Sequence, residues 1–465
     1  MCGKPERTTM SGLNAIMDNS LSALLAAQAG LATSGHNIAN ANTPGFNRQD
    51  VIFGTRRPEV LGYGSIGRGV EVMGIRRIQD EFLLNNMRSQ TSRLHSYAAV
   101  DTALYDIEGI LGSIDNDHLG DALNNFFSAW NDLAQPPVNN SLKLNVVSKA
   151  QTLVADFHAI EEALRSLETD LEKSIQAETE NLNRLLQDIG ELNRQVMAAE
   201  SNGHPANDLR DQRDLRISQL AELAEISVLE REDGSKDIIL AGRTMVARDR
   251  VTLFEGIYRP DGDGYTFAVV TEGNQQDVNL SPGKLEGLLA ARDVHVREVR
   301  EQLDAVARQL ISEVNGLHTQ GLTAGGRGVL FFTGDSMSTI EINESLVSNE
   351  NLVATGRTGT TADNEIALAI ADLGRASLVG PNRKSINESY RSVVTDVAGK
   401  LNSFDFMVEN QLSVVASLSA RMASISGVSL DEEGANLVRF QNSYNAAAKV
   451  IATVQEMYDT LLAIV

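Results

Sequence analysis

The chain has one cysteine, Cys2, in 465 residues. That excludes an intramolecular disulfide framework and any Cys-based zinc cluster. Aromatic residues make up only 5 %, with a single tryptophan, Trp130, so the core must come from Leu and small residues, which suits helix-on-helix packing. No unbroken apolar run approaches the roughly 20 residues of a membrane-spanning helix, and no membrane insertion is expected. Met1–Thr9 is polar and the following segment is amphipathic, without the continuous apolar stretch of a secretory signal. Met10 is an alternative start. Positive charge is also short: 40 Lys and Arg stand against 62 Asp and Glu, a net −22. This opposes nucleic acid or an anionic membrane surface as partner and favours solubility.

Motifs for catalysis are equally thin. His36, His95, His118, His158, His204, His295 and His318 are scattered, and there is no HExxH, GxSxG or Walker A pattern. Gly62-Tyr-Gly64-Ser-Ile-Gly67 matches GxGxxG, but a strand pattern follows it where a phosphate site needs a helix N-terminus, so it reads as a Gly-rich turn. Asp261, Asp263 and Glu272 sit at the first, third and last positions of an EF-hand loop. Tyr265 and Thr266 occupy the places of a ligand and the obligatory Gly, so a hairpin turn is the better account. Asp208, Asp211 and Asp214, interleaved with Arg210 and Arg213, read as intrahelical ion pairs. Carboxylates flanked by arginines keep low pKa values and make poor general acids. No catalytic residue, cofactor or metal is expected.

Two apolar seams close the ends of the chain. Leu437, Phe440, Tyr444, Ala447, Ile451, Val454, Tyr458, Leu461 and Val465 follow an unbroken 3,4 spacing. Met10, Met17, Leu24, Leu31 and Ile38 recur at intervals of seven, with Leu13 and Ala27 between. Ordering some thirty residues costs about 1–2 kcal/mol each, and burying a large side chain returns roughly 1.5–3 kcal/mol. Such helices are therefore expected to be mobile in a monomer and ordered in an assembly.

The nine prolines and the changes of period divide the rest. The expected order is a disordered extension over 1–9, a helix and turn over 10–50, a β arm over 51–78 and a helical rod domain over 79–225. A small β unit over 226–283, a return helix over 284–319, a mixed outer region over 320–378, a rod helix over 379–425 and a terminal helix over 426–465 follow. Within the rod, a coiled-coil-like helix approaching fifty residues is expected before Asn202-Gly203-His204-Pro205. The fold class is mainly α with a β insertion: a long helical rod, paired N- and C-terminal helices and a small antiparallel β unit.

Ser34–Gln49 (SGHNIANANTPGFNRQ) and Ser426–Gln441 (SGVSLDEEGANLVRFQ) resemble the terminal signatures of bacterial flagellar rod, hook and hook-associated proteins. Asn207–Asp214 (NDLRDQRD), Gly283–Asp293 (GKLEGLLAARD) and Thr361–Ala367 (TADNEIA) narrow the resemblance to the hook-associated members of the hook–filament junction. The resemblance implies a non-enzymatic, extracellular structural subunit, exported by the flagellar type III apparatus without a cleaved signal. Its implied partners are copies of itself in head-to-tail contact, hook protein, a second junction protein on the filament side, and a cytoplasmic chaperone holding the C-terminal segment. The expected assembly surface is Leu13, Leu24, Leu31, Ile38, Asn40, Thr43, Pro44, Gly45 and Phe46 with Leu437, Phe440, Tyr444, Ile451, Val454 and Leu461. Residues filling only an intramolecular bundle is the competing account. The chain is short for the family, so its outer region around 321–375 is expected to be reduced, and its nine-residue start departs from the pattern. The rival functions are a hook or distal rod subunit, and a cell-wall-acting enzyme carried on an axial scaffold with 226–281 as host.

Overall fold

A computed structural model describes residues 6–464 except 62–63, 113–117, 136–138, 262–263, 324–325, 359–362 and 376–383. Cys2, Asp263 and Val465 lie outside the described residues. Helix α1 (Glu6–Ala39) already includes residues 6–9, which corrects the disordered extension for that part. The arm is built of β1 (Gln49–Thr55), β2 (Glu59–Leu61), β3 (Gly64–Ile66) and β4 (Val70–Arg77). β1 pairs antiparallel with β4, with a bulge at Ile52/Phe53, and β2 pairs with β3 at the tip. Gly64 thus opens a strand, and among the described residues no helix begins between it and α2 (Glu81–Leu111).

Asp80 caps α2 by accepting the Leu83 amide at 3.0 Å. The chain continues through α3 (His118–Leu133), α4 (Asn140–Ala199) and α5 (Asn207–Leu223). At 60 residues α4 is longer than its seam suggested. Leu153, Phe157, Ile160, Leu164, Leu171, Ile175, Leu182, Leu185, Ile189 and Val196 are buried along it. The 3,4 spacing of this stripe slips at Leu171–Ile175 without breaking the helix, because the rod changes neighbours along its length: α3 at one end, α5 at the other.

The β region is two sheets rather than one unit. β5 (Ile226–Glu230), β6 (Lys236–Leu240), β7 (Arg243–Ala247) and β8 (Arg250–Val251) form one in sequential order. β9 (Phe254–Asp261), β10 (Gly264–Thr271) and β11 (Asn274–Asp277) form the other, with β10 central. The return helix is α6 (Lys284–Ala290) and α7 (Arg297–His318), joined by a π-helical turn over Ala291–Val296. There the buried Arg292 donates to the Phe267 carbonyl at 2.9 Å, a tertiary demand that hydrophobic period does not reveal. Beyond α7 lie short strand pairs, then α8 (Glu344–Ser348) and α9 (Glu365–Asp372). Phe126, Trp130, His318, Phe331 and Phe332 pack at tilted to edge-on angles into one buried aromatic cluster at this outer end.

The chain returns through α10 (Ile386–Ser426), opened by a Ser385/Glu388 capping box. α10 lies antiparallel on α2: Tyr390 donates to the Leu111 carbonyl at 3.2 Å, the Tyr97 and Phe404 rings are 6.2 Å apart, and Gln411 donates to the Gln90 carbonyl at 2.9 Å. Helix α11 (Leu430–Ile464) ends the fold against α1. Averaged over eighteen residues, Ile386–Ala463 reaches a mean hydropathy of 1.2, long and apolar enough by composition to cross a membrane, with almost none of that window buried. The apolar character is spread among small polar residues and so forms no unbroken run.

Candidate assembly surface and the joint behind it

The terminal seams meet each other within one chain. Tyr458 donates to the Asn14 side chain at one end, and the Phe440 ring lies over Gly30 at the other, so α1 and α11 run antiparallel. A Cβ on Gly30 would stand 2.6 Å from the Phe440 ring. Leu13, Ala447 and Val454 are buried. Leu24, Leu31, Ile38, Leu437, Phe440, Tyr444 and Ile451 are half-buried, and Leu461 is exposed. Ala26, Ala27, Gly30, Thr33 and Ser34 are buried as well. This row of small residues lets the two backbones approach, and the large-residue seam alone did not indicate it. A second set of apolar side chains stays outside. Ile16, Leu21 and Leu25 on α1, with Val438, Val450, Met457 and Leu462 on α11, are exposed, Leu25 and Met457 by 50 % each.

The turn residues of the expected surface lie elsewhere, in a joint between the terminal pair and the rod. The Asn40 side chain donates to the His36 carbonyl at 3.0 Å and accepts from Thr43 at 3.1 Å. Pro44 is exposed, and Gly45 turns the chain at φ +79° with its Cβ position 3.0 Å from Leu215. The following residues are extended, so their side chains alternate. Gly45, Asn47 and Gln49 face α5: Asn47 gives its amide (3.0 Å) and its side chain (2.7 Å) to Asp211, and Gln49 donates to Asp208 at 2.9 Å. Phe46 and Arg48 face other helices. The Phe46 ring stands 5.4 Å from His36, and Arg48 donates to Glu433 and Glu432 at 2.7 Å each, with its amide on the Ser426 carbonyl at 2.9 Å. Asn37 closes the joint by exchanging hydrogen bonds with the Gln49 backbone at 2.9 and 3.0 Å.

The intrahelical reading of Asp208, Asp211 and Asp214 is therefore corrected: their partners come from other elements. Arg77 reaches Asp211 at 2.9 Å and Asp214 at 2.8 Å. Lys236 reaches Asp214 at 2.8 Å and Glu81 at 3.1 Å, and Arg88 donates to the Asp214 carbonyl at 3.1 Å. Arg210 turns instead to Glu200 at 2.6 Å, and the buried Arg213 to the Gly234 carbonyl at 2.6 Å. Burial pushes the Asp214 carboxyl up, but the Lys236 ammonium and the Arg77 and Arg88 guanidiniums outweigh it and hold it well below the usual range. Burial raises Asp211, against the hydrogen bonds from Asn47 and Arg77. These carboxylates are buried and fully engaged. Such a network joins α2, α5, β4 and β6 and offers no open position for a reacting group.

Comparison with known proteins agrees with this geometry. A family profile described as the flagellar hook-associated protein FlgK helical domain matches residues 104–332. Profiles of the flagellar basal body rod FlgEFG protein C-terminal region and of the flagella basal body rod protein match 420–464 and 17–47, the two halves of the terminal pair. Flagellar hook-associated protein 1 of Bacillus subtilis is 25 % identical over 490 residues, covering 95 % of this chain and 96 % of the relative. The proteins of that name from Salmonella typhimurium and Escherichia coli are 25 % and 24 % identical, over 97 % of this chain and 100 % of theirs. The flagellar hook junction protein FlgK from Burkholderia pseudomallei shares the fold, with a TM-score of 0.65 at 15 % identity, over 74 % of this chain and 100 % of that one. A helical rod closed by a pair of terminal axial helices is the build of a structural axial protein of the bacterial flagellum. Within that class, the chain is similar to flagellar hook-associated protein 1 over nearly its whole length.

Proposed function

We propose that this chain is a non-catalytic subunit joining hook to filament. Its terminal helices order fully on incorporation into a head-to-tail helical lattice. It leaves the cell through the flagellar type III apparatus without a cleaved signal, its C-terminal segment held beforehand by a cytoplasmic chaperone. Hook protein meets one side of the junction and a second junction protein the other. One observation carries this reading: α1 and α11 cover one seam and leave a second apolar set exposed along the same pair. Contiguous exposed apolar surface marks an interaction site, and a polymer supplies the further helices that cover it. Part of the binding energy goes into ordering, so free subunits stay soluble until a template is present.

The test is electron microscopy of the purified chain mixed with isolated hook fragments, beside a variant lacking residues 436–465. Added density at the distal end from the full-length chain alone is the expected result. Density from both would show that the C-terminal seam is not the assembly element, and density from neither would sink the junction role.

A further inference from the structure

Residues 49–79 invert the charge of the chain. They hold five arginines (Arg56, Arg57, Arg68, Arg76, Arg77) against three carboxylates (Asp50, Glu59, Glu71), in a chain of net charge −22. Arg77 is spent in the joint, and Arg76 and Arg68 stand 3.6 Å from Asp50 and Asp18. Arg56 and Arg57 are exposed, and among the described residues neither has a carboxylate within 4.0 Å. Beyond them the β2–β3 tip shows Val60, 83 % exposed, and Ile66. Unpaired guanidiniums beside exposed apolar side chains have the composition of a protein interface.

A complementary face exists on the same chain. Asp101 of α2 and Asp405 of α10 come together across the antiparallel pair. Burial and the neighbouring Asp405 both push the Asp101 carboxyl up. One Asp101 oxygen is buried with no donor, and among the described residues no cation is within 4.0 Å of either carboxylate. Tyr105, one turn beyond Asp101, and Phe406, next to Asp405, are 68 % and 65 % exposed. Carboxylates flanked by aromatic faces are what guanidiniums bind best. Within one chain the two features lie apart. The arm follows α1 back to Asn19 and Ser22, whereas Asp101 lies about 30 Å along α2 from its start.

We propose that the Arg56–Arg57 arm docks on the α2–α10 face, at Asp101 and Asp405, of a neighbouring copy of this chain. The contact is heterologous, so it propagates rather than closing a dimer, and it rests on the polymerising reading above. The test is co-sedimentation of the full-length chain with hook fragments across a salt series, with circular dichroism to confirm that each variant is folded. Arg56→Glu with Arg57→Glu should weaken assembly about tenfold or more at low salt, and less at high salt. Asp405→Arg alone should weaken it similarly, and combining all three changes should restore most of the loss. An arm variant that assembles like the unaltered chain overturns the arm's role while leaving the junction reading intact. A loss that the charge swap does not restore overturns the α2–α10 face as partner. If the unaltered chain does not sediment with hook fragments, the polymerising reading fails and the docking contact falls with it.

Discussion

Replacing Asp214 by Asn tests the claim that the joint is an ion network and not a set of independent pairs. Arg77, Arg88 and Lys236 are buried around Asp211 and Asp214, and Glu81 and Glu230 reach Lys236 from half-exposed positions. Removing the Asp214 charge strands three buried cations against one buried carboxylate. Breaking a buried pair from one side costs about 3–5 kcal/mol, because the charge left behind is uncompensated. Lys236→Met does the opposite: it leaves two guanidiniums facing two carboxylates, with an apolar chain in the space. Because the charges left behind are balanced, the cost is expected to be smaller than that of Asp214→Asn. Urea unfolding at neutral pH, followed by far-ultraviolet circular dichroism, measures both. Trp130 fluorescence adds a probe of the distant outer end. The reasoning is refuted if Asp214→Asn costs less than Lys236→Met. The pH dependence has a fixed sign. Because the folded-state pKa is depressed below 3.8, the Asp214 contribution is present above that value and fades as pH falls beneath it.

Three further outcomes follow from particular atoms. Gly30→Ala places a methyl 2.6 Å from the Phe440 ring, and overpacking of this kind costs about 1–3 kcal/mol; a thermal melt of the α1/α11 pair by hydrogen exchange should show loss there and not in the rod. His318 is buried with Nδ1 against the Val329 carbonyl at 2.6 Å and Nε2 accepting the Ala354 amide at 3.0 Å. Burial lowers its pKa from 6.5 to about 4, so stability is full above 6.5 and about 3 kcal/mol is lost as pH falls to 4. His318→Gln should flatten that part of the stability–pH profile. Asn47→Ala and Asp211→Ala, made singly and together, should show a coupling of about 1–3 kcal/mol in the free chain; additive effects would mean that the Asn47 side chain does its work between subunits.

The long elements were legible because their signals accumulate over many turns. The α4 stripe, the α11 seam and the Pro44 and Pro205 breaks follow from period and from proline's missing amide. The π turn at Ala291–Val296 was not, since it serves the Arg292–Phe267 contact and no local pattern marks it. Nor did period separate the two sheets of the β region, since each hairpin alone looks the same in either arrangement. The partners of Asp208, Asp211 and Asp214 escaped for a different reason. Residues spaced by three with arginines between them satisfy a local rule on the helix surface, and only the tertiary contacts with α1, β1, β4 and β6 show that the local rule is not the one in force.

That miss also bears on how the family signatures are understood. The Ser34–Gln49 and Asn207–Asp214 segments were separate resemblances in the sequence, one belonging to every axial protein and one to the hook-associated branch. In the fold they are two halves of one interface. Over Gly45–Gln49 the odd positions take up Leu215, Asp211 and Asp208, and the even ones take up His36, Glu432 and Glu433. A turn residue and four extended ones are too few for alternation to stand out in a sequence, yet they carry contacts between the terminal pair and the rod. Of the turn residues placed by resemblance on the assembly surface, Asn40, Gly45 and Phe46 make contacts within the subunit, at the joint from which α1 and α11 leave the rod, while Thr43 and Pro44 stay exposed. In the proposed assembly, the exposed apolar rows of that pair are the surface offered to neighbours. A lattice in which every copy repeats the same displacement needs the angle at that joint fixed within the subunit, because error in it would accumulate from one copy to the next.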